Sequence, residues 1–450
     1  MTQTATLQRR FPTFFWMLGP FRWVAASRRR MLGTALVVLA IIAAGPIWWA
    51  TQLLGLPDVG EPFDVEAFRS QTIPDDRNAF VLYRRAEGLL RPRSAEDGTA
   101  TKSLIDPSLW SAAKPEDRRW AELNRDALEM YRQATDRPDA LDANHTRFPV
   151  NEEMTSLRHF QSLASLEASR LEDQGDMAGA WVWLRANLRM TRLLAARGTQ
   201  HRRSEAQAFH DLVRKRAAAW AADSRTTPEQ IRQALDDVLA CEAIVPSNAF
   251  TLKAEYLIFA RRFPNENYWI LRPIPRWLAA RPMLLSVVPP EQWKSLYDAW
   301  LYVRREPERR LRVVRLFTAN RAAYYDLPPE RRPKPDPYVT NYDLYAFGPE
   351  APPKARALSP EALAGWLDSC ETASVIQTNL SMDWFGAPAK EVANHHDLVL
   401  QLAAELYRRD HGAVPAQPED LVGPYLKALP PAFPKPSRDE SLPVEDRPVE

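Results

Sequence analysis

The chain has 450 residues, 45% of them apolar and 26% charged, with 39 prolines, 15 glycines, two cysteines and a net charge of +2. So large an excess of proline over glycine argues against glycine-rich nucleotide-binding architectures. Two cysteines exclude a disulfide scaffold, a four-cysteine zinc site and a thiolate-held cluster.

Residues 1–57 hold six arginines and no acid, so the rest of the chain is net acidic. Directly after Arg28, Arg29 and Arg30 comes MLGTALVVLAIIAAGPIWWATQLLGLP, uncharged from Met31 to Pro57. About 20 apolar residues suffice to cross the roughly 30 Å hydrocarbon core as a helix. The arginines in front predict a cytoplasmic N-terminus, and Trp48 and Trp49 fall where an aromatic belt belongs. A cleaved signal peptide would have a shorter apolar core and a small-residue exit, and a buried core helix would carry a polar stripe. The expectation is therefore an uncleaved single-pass anchor over 31–56, behind a basic, aromatic cytoplasmic tail over 1–30. Within that tail, FPTFFWMLGPFRWVAA (11–26) has the Phe, Trp and Arg mixture of a segment lying on the inner membrane surface, or is simply an apolar tail.

Beyond the anchor, helical patterns are punctuated by proline. The dipeptide Pro-Glu recurs, as at Pro115, Pro228, Pro360 and Pro418. Proline suits the first helical position and glutamate the positive end of the helix dipole. Thr227-Pro228-Glu229-Gln230 also fits a capping box. Apolar residues recur at helical intervals in Trp120, Leu123, Ala127, Met130 and in Leu157, Phe160, Ala164, Ala168. Two further sets are Trp181, Leu184, Leu188, Leu194 and Phe209, Val213, Ala217, Trp220. No sustained period-two alternation occurs. Residues 151–222 read as three antiparallel helices with turns at Gly175-Asp176 and Gly198-Thr199. One unit of this stretch resembles a tetratricopeptide-type hairpin, but a solenoid needs about three, so a bundle is expected. The fold class is all-α, a single N-terminal transmembrane helix followed by a large multi-helix extracytoplasmic bundle with Pro-rich linkers. The parts are a bundle over 57–245, an aromatic- and proline-rich helical region over 246–350, a C-terminal helical unit over 351–430 and a disordered tail over 431–450. Pro-rich 327–337 and 349–359 read as linkers.

The stretch HHDLVLQLAAELYRRDHGAVPAQPEDLVGPYLKALP (395–430) resembles a pattern of uncharacterised membrane-anchored proteins of planctomycete bacteria. The match is Tyr407, His411, Gly412, Pro415, Leu421, Tyr425, Leu426, Leu429 and Pro430. IPDDRNAFVLYRRA (73–86) resembles the same group. The resemblance implies membrane anchoring and no particular activity. The C-terminal pattern is also similar to type II secretion pseudopilin tails. Two features depart from that family: the apolar helix opens with Arg30-Met31-Leu32-Gly33 and no glutamate, and Pro431-Ala432-Phe433-Pro434 replaces an Asp-Pro-aromatic segment.

No H-E-x-x-H, G-x-S-x-G or phosphate-loop motif is present. The densest set of metal-ligand types is His395-His396-Asp397 with Glu405 and Asp410-His411. Adjacent histidines diverge by about 100° on a helix, so a solvated face is expected. His210-Asp211 has no serine nucleophile at hand. Asp410-His411-Gly412 reads as a helix end, with Gly412 left-handed and Pro415 beyond it. Cys241 and Cys370 form an even pair that is bonded or buried. Arginine outnumbers lysine 49 to 10, but the bases are dispersed among matching acids, which argues against nucleic acid as a partner. The reading is a membrane-anchored helical interaction or scaffold protein without cofactor, its partners membrane lipid and other envelope proteins. The alternatives are a membrane-tethered hydrolase with a non-local site and a secretion or envelope-assembly component.

Overall fold

A computed structural model of the chain describes residues 27–55, 58–91, 109–143, 151–262, 306–326, 331 and 386–430. Among these residues there are helices and no β-strand. In chain order the α-helices are α1 (Arg28–Gly55), α2 (Val65–Arg69), α3 (Ala79–Leu89), α4 (Pro115–Leu123), α5 (Arg125–Thr135) and α6 (Asn151–Asp173). They continue with α7 (Met177–Ala196), α8 (Gln200–Ala222), α9 (Pro228–Ala240), α10 (Asn248–Arg262), α11 (Glu306–Asp326) and α12 (Gly386–His411). The all-α class of the sequence is thus the class of the structure.

Local chemistry fixes most helix starts. Asp64, Asn78, Asp176 and Thr199 each accept a backbone N–H of the first turn. Thr227 and Gln230 exchange both bonds of the capping box ahead of α9, with Pro228 at the first helical position. The turn between α6 and α7 places Gly175 at φ +84°, which an L side chain rarely adopts.

The chain divides into two compact units. The first comprises 1–60, 263–317 and 352–375. It contains α1, whose backbone covers the apolar run of the sequence, and the first part of α11, where Arg315 donates to Asp58 at 3.5 Å. Arg28, Arg29 and Arg30 are exposed at the start of α1. Side chains of α1 are described to Ala40 and at Ala43, Ala44 and Ile47. Among the described residues no helix is long and apolar enough to cross a membrane. Trp48 and Trp49 lie in the second half of α1, and their side chains fall outside the described residues, as do the segment 11–26, the linkers apart from Arg331, Cys370 and the tail 431–450.

The second unit comprises 61–262, 318–351 and 376–450. Helices α6, α7 and α8 run as successive antiparallel neighbours with α7 packed against both others. One apolar cluster joins α3, α5, α6 and α7, centred on a ladder of Tyr83, Tyr131 and Phe160; Tyr131 and Phe160 stack at 5.1 Å and 9°. Burying Phe160 or Leu163 wholly from water stabilises the fold by about 1.5–3 kcal/mol each. Within this cluster the buried amide of Asn187 accepts from the Tyr131 hydroxyl at 2.8 Å and donates to the Gln161 carbonyl at 3.1 Å. A second cluster joins α7, α8, α9 and α12 through Trp181, Trp220, Ile231, Leu235, Leu398 and Leu402. The C-terminal helix therefore packs into the same unit as residues 61–262, although well over a hundred residues separate α9 from α12 in the chain.

Candidate functional site

The buried stripe of α8 runs Arg203, Ala206, His210, Val213, Ala217 and Trp220, at alternating spacings of three and four. The buried stripe of α12 runs Glu391, His395, Leu398, Leu402 and Leu406. Each stripe is apolar along its C-terminal part and ionisable along its N-terminal part. Docking α12 onto α8 therefore brings their ionisable ends together in the interior.

Five contacts make up the result. Arg203 donates to Glu391 Oε2 at 2.9 Å and to Asn248 Oδ1 at 2.6 Å. Arg192, from α7, pairs with Glu391 Oε1 at 3.7 Å. One turn further along α12 and two along α8, His210 Nε2 lies 3.4 Å from His395 Nδ1, with the rings tilted at 55°. Beside them Asn394 donates to Asp211 Oδ1 at 2.8 Å. Arg192, Arg203, His210, Glu391 and His395 are all more than nine-tenths buried.

The electrostatics follow from that burial. Loss of water, then the Arg192 and Arg214 charges, push His210 down to about 4. His395 goes down to about 3 for the same first reason, with Arg192, His210 and His396 adding to it and the Val238 carbonyl opposing. Both rings are neutral at pH 7. Burial also lowers Arg192, while Glu391 acts against that effect. Neither His210 Nδ1 nor His395 Nε2 has a partner with hydrogen-bond geometry. A proton on His210 Nε2 shared with His395 Nδ1 leaves the second proton of the pair on His395 Nε2, toward Val238.

His395 corrects the expectation of a solvated histidine face. It is 2% exposed because it continues the phase of Leu398 and Leu402, whereas Asp397 points to solvent. The sequence signal was the stripe itself, extended one turn upstream into ionisable residues. Among the described residues no three His, Cys, Asp or Glu side chains converge as a metal ion would require. Cys241 is a buried free thiol whose acidity burial suppresses.

A second buried pair lies at the same N-terminal end of α8, one residue before Arg203. Asp142 is fully buried and holds Arg202, whose guanidinium sits over the Phe80 ring at 5.2 Å, and Arg84 at 2.6 Å. A shallow cleft next to it is lined by Phe80, Tyr83, Arg84, Glu87 and Ser156, the Ser156 hydroxyl donating to Glu87 at 2.6 Å.

The C-terminal motif forms a corner at the surface. Helix α12 ends at His411, and Gly412 follows at φ +73° with its N–H on the Arg408 carbonyl. The exposed His411 ring stacks on Tyr407 at 4.1 Å and 15°, its Nδ1 3.1 Å from the Tyr407 carbonyl. The Tyr425 hydroxyl donates to Asp410 at 2.7 Å, and Pro415 is half-buried. The chain folds back through the 3-10 turn Pro418–Leu421, which seats Leu421 and Leu426 in the second cluster. A side chain at position 412 would meet nothing within 4 Å, so the obstacle to one is the backbone alone. Gly412→Val should destabilise by about 1–2 kcal/mol, read as a fall in the urea midpoint, while His411→Ala should shift it little.

Comparison of the chain with family models, with curated proteins and with solved structures finds no match.

Proposed function

We propose that this chain is a single-pass, membrane-anchored helical interaction protein of the bacterial envelope, with its N-terminus in the cytoplasm and the helical body outside. The observation that carries the reading is α1. Its 28 residues are about 42 Å long at 1.5 Å per residue, a length that exceeds a hydrocarbon core, and although its described residues alone do not make a span, the sequence of the whole run is apolar. Leu36, Val37, Val38 and Leu39 are all exposed, and four consecutive residues step round about 300° of a helix, so no face of this described stretch is packed against protein. The run stays uncharged to Pro57 in the sequence, and exposed Arg28, Arg29 and Arg30 stand in front of it. Lipid is the partner that such a surface fits.

The body's conspicuous ionisable groups join helices to one another, and the role assigned to it is binding of other envelope proteins. A reporter that is active only after export, fused after residue 450, should be active, and the chain should stay in the membrane pellet through alkaline carbonate. An inactive but folded fusion overturns the orientation, and release by carbonate overturns the anchor.

A further inference from the structure

We propose that the His210–His395 contact is an acid-sensitive latch, which holds α12 on α8 while both rings are neutral and lets α12 go when they take up protons. Helix α12 is fastened by two different chemistries. From Leu398 to Leu406 it is held by apolar contact with α8 and α9. From Glu391 to His395 it is held by the arginine–glutamate pair and the two imidazoles. The apolar half does not respond to pH, so acid acts on the N-terminal half.

The surroundings determine the direction of the response. Acting on the rings are Arg192 from α7, Arg214 on α8, His396 on α12 and the Val238 carbonyl from α9, while Arg203 and Asp211 on α8 and Glu391 on α12 are the other charged groups of the interface. Cys241 and Glu242, past the end of α9, act on Arg192. Glu391 faces two guanidinium groups and Asp211 accepts from Asn394, so neither is turned to the imidazoles. A proton arriving at His210 or His395 therefore meets Arg192 and the other ring inside a dry interface. Undocking returns both rings to water and to their ordinary affinity for protons.

The docked rings bind protons only at about 4 and 3, below the ordinary 6.5, so the undocked state takes up more protons as pH falls. Docking is at full strength above about 6.5 and weakens from there toward the docked values. At pH 5 each ring favours opening about 20-fold more than at pH 7, on the order of 500-fold for the two. The proposal holds wherever the chain resides.

The test is amide hydrogen exchange on the full-length protein in detergent at pH 7 and pH 5, corrected for the intrinsic pH dependence of exchange. Protection of 386–411 should fall on the order of 500-fold relative to α7, and His210→Gln with His395→Gln should remove that fall. An equal fall in the double variant, or a flat profile in the wild type, overturns the latch. If the double variant does not fold, exchange at the imidazole C2 position of the wild type decides. Both rings staying neutral to below about pH 5 while α12 is docked supports the proposal, and either titrating near 6.5 in the docked state overturns it. Zinc chloride should leave the wild-type profile unchanged. Zinc-dependent protection that the double variant lacks would make the pair a metal clip instead.

Discussion

Glu391→Ala should lower the stability of the chain by about 3–5 kcal/mol, the usual loss when one member of a buried ion pair is removed. Arg203 would keep the Asn248 side chain as a partner. Arg192 would keep none of its ion pairing, and its Nε and Nη1 already lack hydrogen bonds. Two guanidinium groups would then face each other in the interior with no anion between them. Glu391→Gln preserves a hydrogen-bond acceptor for Arg203 and should cost less than alanine. Arg192→Met combined with Glu391→Leu and Arg203→Met should recover most of the loss, because a well-packed apolar replacement of a buried ionic group is often neutral or better. Urea unfolding followed by tryptophan fluorescence measures all three. A change below about 1 kcal/mol for Glu391→Ala would mean that water reaches the pair and that α12 is not seated on α8 as described.

Trp220→Ala should cost a comparable amount, about 3–5 kcal/mol, through lost burial and the cavity left behind. The indole is among the largest fully buried side chains, lies 4.9 Å from the Trp181 ring, and donates to the Met177 carbonyl at 2.9 Å. Trp181 in turn donates to Asp237 on α9, so one aromatic pair ties α7, α8 and α9 together. Trp220→Phe keeps the stacking surface and loses the hydrogen bond, and should fall well short of the alanine loss. Equal midpoints for alanine and wild type would show that this end of the bundle is not close-packed.

Much of this fold can be read from the sequence, because its determinants are local. Pro-Glu pairs, the Thr227–Gln230 box, Gly175 and Gly412 act within one turn of chain, and the stripes of α6 to α9 follow from 3.6-residue periodicity. Periodicity does not tell which stripe meets which. His210 and His395 are 185 residues apart, and Arg203 and Glu391 are 188 apart. Nothing local in either segment names the other. Polarity also misled the reading of α12. Glu391 and His395 look like solvent-facing residues by type, but the phase of Leu398, Leu402 and Leu406 carries them inward. Asn78 caps α3 locally, but its second role has no local signal. It reaches across 63 residues to bond both the N–H and the carbonyl of Leu141, which fixes the start of α3 against the loop after α5.

The late position of α12 also governs what happens during synthesis. Its seat on α8 and α9 is complete once the ribosome passes Ala240, but roughly 145 further residues must be made before Gly386 emerges, about 7–30 s at 5–20 residues per second. Through that interval Val213, Ala217, Ile231 and Leu235 present an uncovered apolar face. A transcript ending ahead of α12 would leave that face bare for good. Such a fragment is the natural client of a holding chaperone and the natural seed of an aggregate, and full-length chains are exposed to the same hazard until translation is nearly finished.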